Sequence, residues 1–158
     1  MRQLNIDIAG QTLELLGATG SARVYPVSTA LAGAGECMGS GCTPRGEHRI
    51  RIGIGAGCAV GTVFVGRRPT GEVWTPELAA RHPERDWILT RILWLTGCEP
   101  GINRGGGVDT LRRFIYIHGT PDSEPMGAPR SHGCVRMQNL DVLDLFQYVS
   151  AGDRVMIR

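Results

Sequence analysis

Glycine sets the first limit on what this chain can fold into. Twenty-three of its 158 residues are glycine. Each glycine inside a helix costs about 1 kcal/mol relative to alanine, whereas tight turns draw on glycine's freedom to take positive φ. So glycine-rich a chain is expected to fold as many short strands joined by turns, with few long helices. Its length suits one domain, residues 1–158, around one core. The hydrophobic fraction of 42% and charged fraction of 20% are ordinary for a globular protein.

The hydropathy pattern agrees. Leu4, Ile6 and Ile8 alternate with polar residues, residues 9–11 turn the chain, and Thr12 to Leu16 return it as a hairpin. Arg23 to Ser28 reads as a third strand, and residues 32–46 as a glycine-rich loop ending in Thr43-Pro44-Arg45-Gly46. Ile50, Ile52 and Ile54 alternate as a further strand, followed by one over Val60 to Gly66. Residues 67–87 are polar and mixed, with a short helix from Pro76 to Arg81. Ile88 to Leu95 is a buried strand, and Arg112 to His118 is a strand with Phe114, Tyr116 and His118 on one face. Glycine loops run from Gly97 to Gly107 and from Gly119 to Arg130. Asn139 is placed to cap a helix with the apolar stripe Leu140, Leu143, Phe146 and Val149, and Arg154 to Arg158 makes a last strand. The expected class is therefore mainly β with one principal helix.

Charge excludes some partners. Seventeen basic and 15 acidic side chains balance to +2, too little for a nucleic-acid surface. All the basic residues are arginine, whose planar fork suits carboxylates and phosphates. No stretch is long and apolar enough to insert into a membrane, and the N-terminal residues lack the apolar core and cleavage site of a signal peptide. The five cysteines, Cys37, Cys42, Cys58, Cys98 and Cys134, form an odd set without a disulfide spacing. Free thiols persist best in a reducing compartment, so a cytoplasmic location is expected, with a periplasmic one if a signal has been removed. Cys37 and Cys42 lack the tight ligand spacing of a zinc site, and neither metal nor cofactor is expected.

The segment Ser131-His132-Gly133-Cys134-Val135-Arg136 carries the chemistry. Gly133 lets the backbone bend sharply beside the cysteine, and the successive N–H groups of His132, Gly133 and Cys134 suit an oxyanion hole. A thiol is a nucleophile only as thiolate, so it needs a base nearby. His118 and His132 are the candidates. His118 is preferred because a strand holds a base rigidly. A lone cysteine or histidine is more often a packed residue. The two together, with the glycine between them and the loop, point to acyl transfer.

The stretch from Ile117 to Met137 resembles the signature of the YkuD family of L,D-transpeptidases: His118-Gly119, a loop, then Ser131-His132-Gly133-Cys134 and a polar residue, Arg136, two further on. The opening hairpin, Pro26-Val27-Ser28-Thr29 and Thr43-Pro44-Arg45-Gly46 extend the resemblance over most of the chain. It implies a β-sandwich or barrel with the catalytic loop preceding the helix. It implies Cys134 as acylated nucleophile and His118 as base, with the Gly119 carbonyl fixing the histidine tautomer. His132, Gly133 and Cys134 would frame the oxyanion, and Ser131 would support the loop or touch substrate. Many family members carry asparagine at the place of Arg136. Arginine there suits a substrate carboxylate, or is a solvated residue at the helix entry.

The implied substrate is a peptidoglycan stem tetrapeptide or muropeptide, cut between a diamino acid and a terminal D-alanine. Water as acceptor would make the protein an L,D-carboxypeptidase of murein recycling, and an amine would make it a cross-linking transpeptidase. A cytoplasmic location favours water. Arg104, Arg130 and Arg136 are candidate partners for the terminal carboxylate. An inactive murein-binding module and a redox-sensing thiol protein are the other classes to separate.

Overall fold

A computed structural model describes residues 1–20 and 22–158. Strands β1 (Gln3–Asp7) and β2 (Thr12–Leu16) form the expected hairpin, joined by β3 (Ala22–Pro26). Leu4, Ile6, Leu13 and Leu15 point from it into the core. Then come β4 (Gly46–Ile54), β5 (Thr62–Val65), β6 (Arg68–Val73), helix α1 (Pro76–Arg81) and β7 (Ile88–Gly97). The chain continues through β8 (Tyr116–Thr120), β9 (Val135–Gln138), helix α2 (Asn139–Phe146) and β10 (Arg154–Ile157). Helix α1 forms where expected because Thr75 accepts a hydrogen bond from the Leu78 N–H and Pro76 opens the first turn.

The ten strands among the described residues form one sheet in the order β3-β2-β1-β10-β4-β7-β5-β6, with β8 branching from β7 and β9 from β8. The sheet is mainly antiparallel, but β1 runs parallel to β10 and β8 parallel to β9. It curls on itself. Past β3, Ser28 exchanges two 2.9 Å backbone hydrogen bonds with Arg136, and Leu31 N–H donates to the Ser131 carbonyl. The core lies inside this curl, where Ile50, Leu93, Leu95, Ile117, Val135, Met137, Val155 and Ile157 pack with Val142 and Leu145 of α2. This is the mainly β class with one principal helix that the sequence leads one to expect, realised as a single curled sheet. Among the described residues no helix is long and apolar enough to cross a membrane.

Several local expectations are corrected. The strand expected from Arg112 begins only at Tyr116, because residues 111–114 are a turn and Phe114 has a φ of 56°. His118 therefore lies mid-strand, and Gly119, expected to open a loop, continues β8. The strand of Ile50, Ile52 and Ile54 carries a register shift between Ile50 and Ile52, so Ile50 is buried while Ile52 is exposed. Residues 68–73 form an edge strand that their polar, proline- and glycine-bearing sequence hid. The short strand β9 separates the cysteine from α2. Asn139 does not cap that helix. Gln138 holds the cap position, and the Asn139 side chain is buried against Thr90 and Asp122. The helix buries Val142 and Leu145, whereas Leu140 of the expected stripe is exposed.

Candidate active site

Parallel pairing of β8 and β9 brings the two chemical segments together. The register sets Ile117 beside Val135 and His118 beside Arg136. Alternate residues share a face, so Tyr116, His118 and Arg136 face one side, and Cys134, one residue before β9, joins them. Cys134, His118, His132, Ser131 and Arg136 line a cleft of about 400 Å³. Its remaining walls include Asp86, Ile88, Arg67, Arg113, Phe114 and Tyr116.

His118 is buried, and its Nδ1 lies 2.6 Å from the Gly119 carbonyl oxygen. A carbonyl oxygen only accepts, so Nδ1 carries the proton and Nε2 holds the lone pair. Burial holds the imidazole below the usual histidine range, against the pull of the Gly119 carbonyl and the Asp86 charge. Gly119 has no room for a side chain: a Cβ there would lie 2.6 Å from the Leu89 carbonyl oxygen and 2.7 Å from Asn139 Oδ1. Close approach of β8 to β7 thus requires glycine next to the histidine.

The Cys134 thiol is half-buried. Its Sγ accepts from the Tyr116 N–H and donates to the Phe114 carbonyl, both at 3.3 Å, rather than bonding to the imidazole. Burial pushes the thiol up to about 12, reinforced by the Asp86 charge, although the Tyr116 N–H, Arg136 and Arg113 pull the other way. Thiol and imidazole are therefore both neutral at rest.

The loop before the thiol is fastened from two sides. Ser131 Oγ donates to the Cys134 carbonyl and accepts from the Gly133 N–H at 3.2 Å. The buried Thr43 donates to the Gly133 carbonyl at 2.9 Å and accepts from the Ala30 N–H at 3.0 Å. Gly133 has a φ of 129°, which L side chains rarely adopt. Arg113 braces the neighbouring glycine loop, donating to the carbonyls of Gly35, Glu36 and Cys42 and to Ser40 Oγ.

Asp86, which the sequence did not single out, ties the cleft together. Its Oδ1 pairs with Arg136 at 3.0 Å, and its Oδ2 lies 3.1 Å from His132 Nδ1. Burial raises the Asp86 carboxyl, but the His132 hydrogen bond and the nearby His118 and Arg136 outweigh it, leaving the group below the usual carboxylate range. His132 is thereby directed to a carboxylate. Of the three arginines considered for a substrate carboxylate, Arg136 lines the cleft but is paired with Asp86. Arg130 lines a neighbouring depression with Glu124 and gives its carbonyl to Arg136. Arg104 is exposed in the turn after Glu99, away from the cleft. The structure brings Arg67 and Arg113 to the wall instead.

A thiol sharing one cleft with a base whose lone pair is oriented suits acyl transfer by way of a covalent intermediate. Comparison with known proteins gives the family. The family model described as YkuD, L,D-transpeptidase catalytic domain, matches residues 2–157. The Escherichia coli K12 protein named "Probable L,D-transpeptidase YbiS" is 34% identical over 94 residues, 60% of this chain and 30% of that protein. The chain thus spans less than a third of that relative's length. Two solved structures share the fold. An L,D-transpeptidase from Xylanimonas cellulosilytica has a TM-score of 0.59 at 20% identity, covering 99% of this chain and 60% of that one. L,D-transpeptidase 3 from Mycobacterium tuberculosis has a TM-score of 0.60 at 15% identity, with the same two coverages.

Proposed function

The chain belongs to the YkuD family of L,D-transpeptidase catalytic domains, and on that premise we propose that Cys134 attacks the bond between a diamino acid and a terminal D-alanine in a peptidoglycan stem tetrapeptide. The observation that carries this reading is the His118 imidazole, fixed by the Gly119 carbonyl at 2.6 Å, sharing one cleft with the Cys134 thiol. Because the thiol rests protonated, attack and deprotonation are coupled. As Sγ bonds to the scissile carbonyl carbon, its proton passes to His118 Nε2. The oxyanion is met by the main-chain N–H groups of His132 and Cys134, since the Gly133 N–H is held by Ser131. When the tetrahedral intermediate collapses, the C–N bond breaks and the D-alanine nitrogen leaves with the proton from His118. A thioester remains on Cys134.

The second step defines the activity. We assign water as the acceptor, giving a tripeptide and an L,D-carboxypeptidase reaction. The support is the set of five free cysteines, which fits a reducing, cytoplasmic setting where free muropeptides rather than assembled murein are met. An amine acceptor at the same thioester would give a cross-link instead.

Incubation with a stem tetrapeptide, with and without an amine acceptor, followed by mass spectrometry, tests both steps. The expected results are a tetrapeptide-minus-D-alanine adduct on Cys134 and accumulation of tripeptide. A dimer would replace the carboxypeptidase reading by transpeptidation. Unchanged product formation by Cys134→Ala would sink the covalent mechanism. Binding without adduct or product would make the domain a murein-binding module.

A further inference from the structure

Strands β5 and β6 are joined by a two-residue turn. Val65 pairs with Arg68, and Gly66 and Arg67 between them have φ values of 56° and 64°. This is the mirror-image turn that suits a twisted hairpin, and its two central positions favour asparagine, aspartate and glycine. Arginine at the second position is unexpected on conformational grounds. A side chain kept in such a conformation points to use at that place.

The side chain shows what that use is. The Arg67 guanidinium lies 4.6 Å from the ring centroid of Trp94 and 5.0 Å from that of Phe114, and Nη1 donates to the Tyr116 hydroxyl at 3.0 Å. These contacts hold it on the wall of the cleft that contains Cys134. The other two arginines of that wall are committed. Arg113 serves four oxygens of the glycine loop, and Arg136 is paired with Asp86. Among the described residues no carboxylate pairs with Arg67. It is a cation held over two aromatic rings, with most of its donor fork unspent. Tyr116 relates it to the thiol: the Tyr116 N–H meets Sγ, and the Tyr116 hydroxyl meets Arg67. Guanidinium and thiol thus contact opposite ends of one tyrosine and line the same cleft.

We propose that Arg67 receives a free carboxylate of the stem peptide whose scissile bond lies at Cys134. This rests on the functional reading above and adds its specificity determinant. The groups nearest the scissile bond are the terminal D-alanine carboxylate and, where the diamino acid has a second carboxyl, its side-chain carboxylate. Both fit a planar bidentate fork.

Binding tests it without turnover. In a Cys134→Ala background, calorimetry and Trp94 fluorescence would follow titration with the tetrapeptide, its terminal carboxamide and its side-chain carboxamide. One amide is expected to bind about tenfold more weakly than the acid, and which one does identifies the carboxylate. Arg67→Met should bring the three affinities together, and Arg67→Lys, which keeps the charge, should retain part of the preference. An equal loss for all three peptides in Arg67→Met would make Arg67 a strap for the hairpin and overturn the inference. So would an undiminished preference for the acid, or no binding of any peptide. Thioester formation is read separately on the protein with Cys134 intact. Its failure with these preferences present would refute the acyl-transfer reading alone.

Discussion

Replacing Thr43 with valine should unfasten the nucleophile loop without changing the shape of the core. Thr43 is fully buried, and its hydroxyl accepts from the Ala30 N–H and donates to the Gly133 carbonyl. Valine fills the same volume and serves neither group. One buried donor and one buried acceptor then lose their partner, at about 1–3 kcal/mol each and about 2–6 kcal/mol together. In a chain of this length each kcal/mol shifts the melting temperature by about 2–4 °C, so Thr43→Val should melt about 4–24 °C below the parent. Thr43→Ser keeps both hydrogen bonds and loses one methyl group, worth about 1 kcal/mol. Circular-dichroism melts of the three proteins measure the difference, and adduct formation on Cys134 reports whether the loop stays aligned. Valine should slow acylation much more than serine. A valine variant that melts within about 2 °C of the parent and acylates at the parental rate would refute the claim that this hydroxyl holds the loop.

Gly119→Ala places a methyl group 2.6 Å from a backbone oxygen, and overpacking of that kind costs about 1–3 kcal/mol. It should also displace the carbonyl that orients His118, so adduct formation should fall more steeply than stability, and equal acylation by variant and parent would contradict this. Burial lowers His48 to about 4. An unfolded histidine titrates near 6.5, so the unfolded chain binds a proton that the folded chain refuses, and stability falls as pH drops from about 6.5 to 4. The loss is about 3 kcal/mol, and the buried His118 acts in the same direction. Urea unfolding at pH 7 and pH 4 should show a smaller pH difference in His48→Gln, and an unchanged difference would count against it. Asp86→Asn removes a negative charge that helps keep the Cys134 thiol protonated. Iodoacetamide should label Cys134 about threefold to tenfold faster at pH 8, and a rate at or below the parental one would show that this charge is not felt at sulfur.

What could be read from the chain was what is local. His118-Gly119 and Ser131-His132-Gly133-Cys134 stand out because together they match the family signature, and the opening hairpin follows from strict alternation. The cleft walls were hidden because they are assembled across the sheet. Asp86 comes from the loop before β7 and Arg67 from a hairpin tip, more than 45 residues from the thiol in sequence, and neither sits in a pattern of its own. A signal for the second existed. Gly66-Arg67, following the apolar run Val63-Phe64-Val65, has the spacing of a two-residue turn, but the polar strand after it carries no hydrophobic alternation. The face of α2 departs from the spacing pattern for a related reason. Leu140 fits a stripe by spacing, yet the surface that covers the helix lies over Val142 and Leu145, where β7 and β8 pack.

The position of β10 has a consequence for how such a sheet comes into being. The strand latest in sequence sits between β1 and β4, bonded to both, rather than at a margin. Among the described residues, the β1–β3 ribbon reaches β4 in the ladder through Arg154–Ile157. The pairing that completes the ladder therefore joins residues about 150 positions apart, and such distant closures fold slowly. A lesion in the final strand should therefore slow closure of the ladder, whereas the cleft rests on β7, β8 and β9, which pair with one another without it.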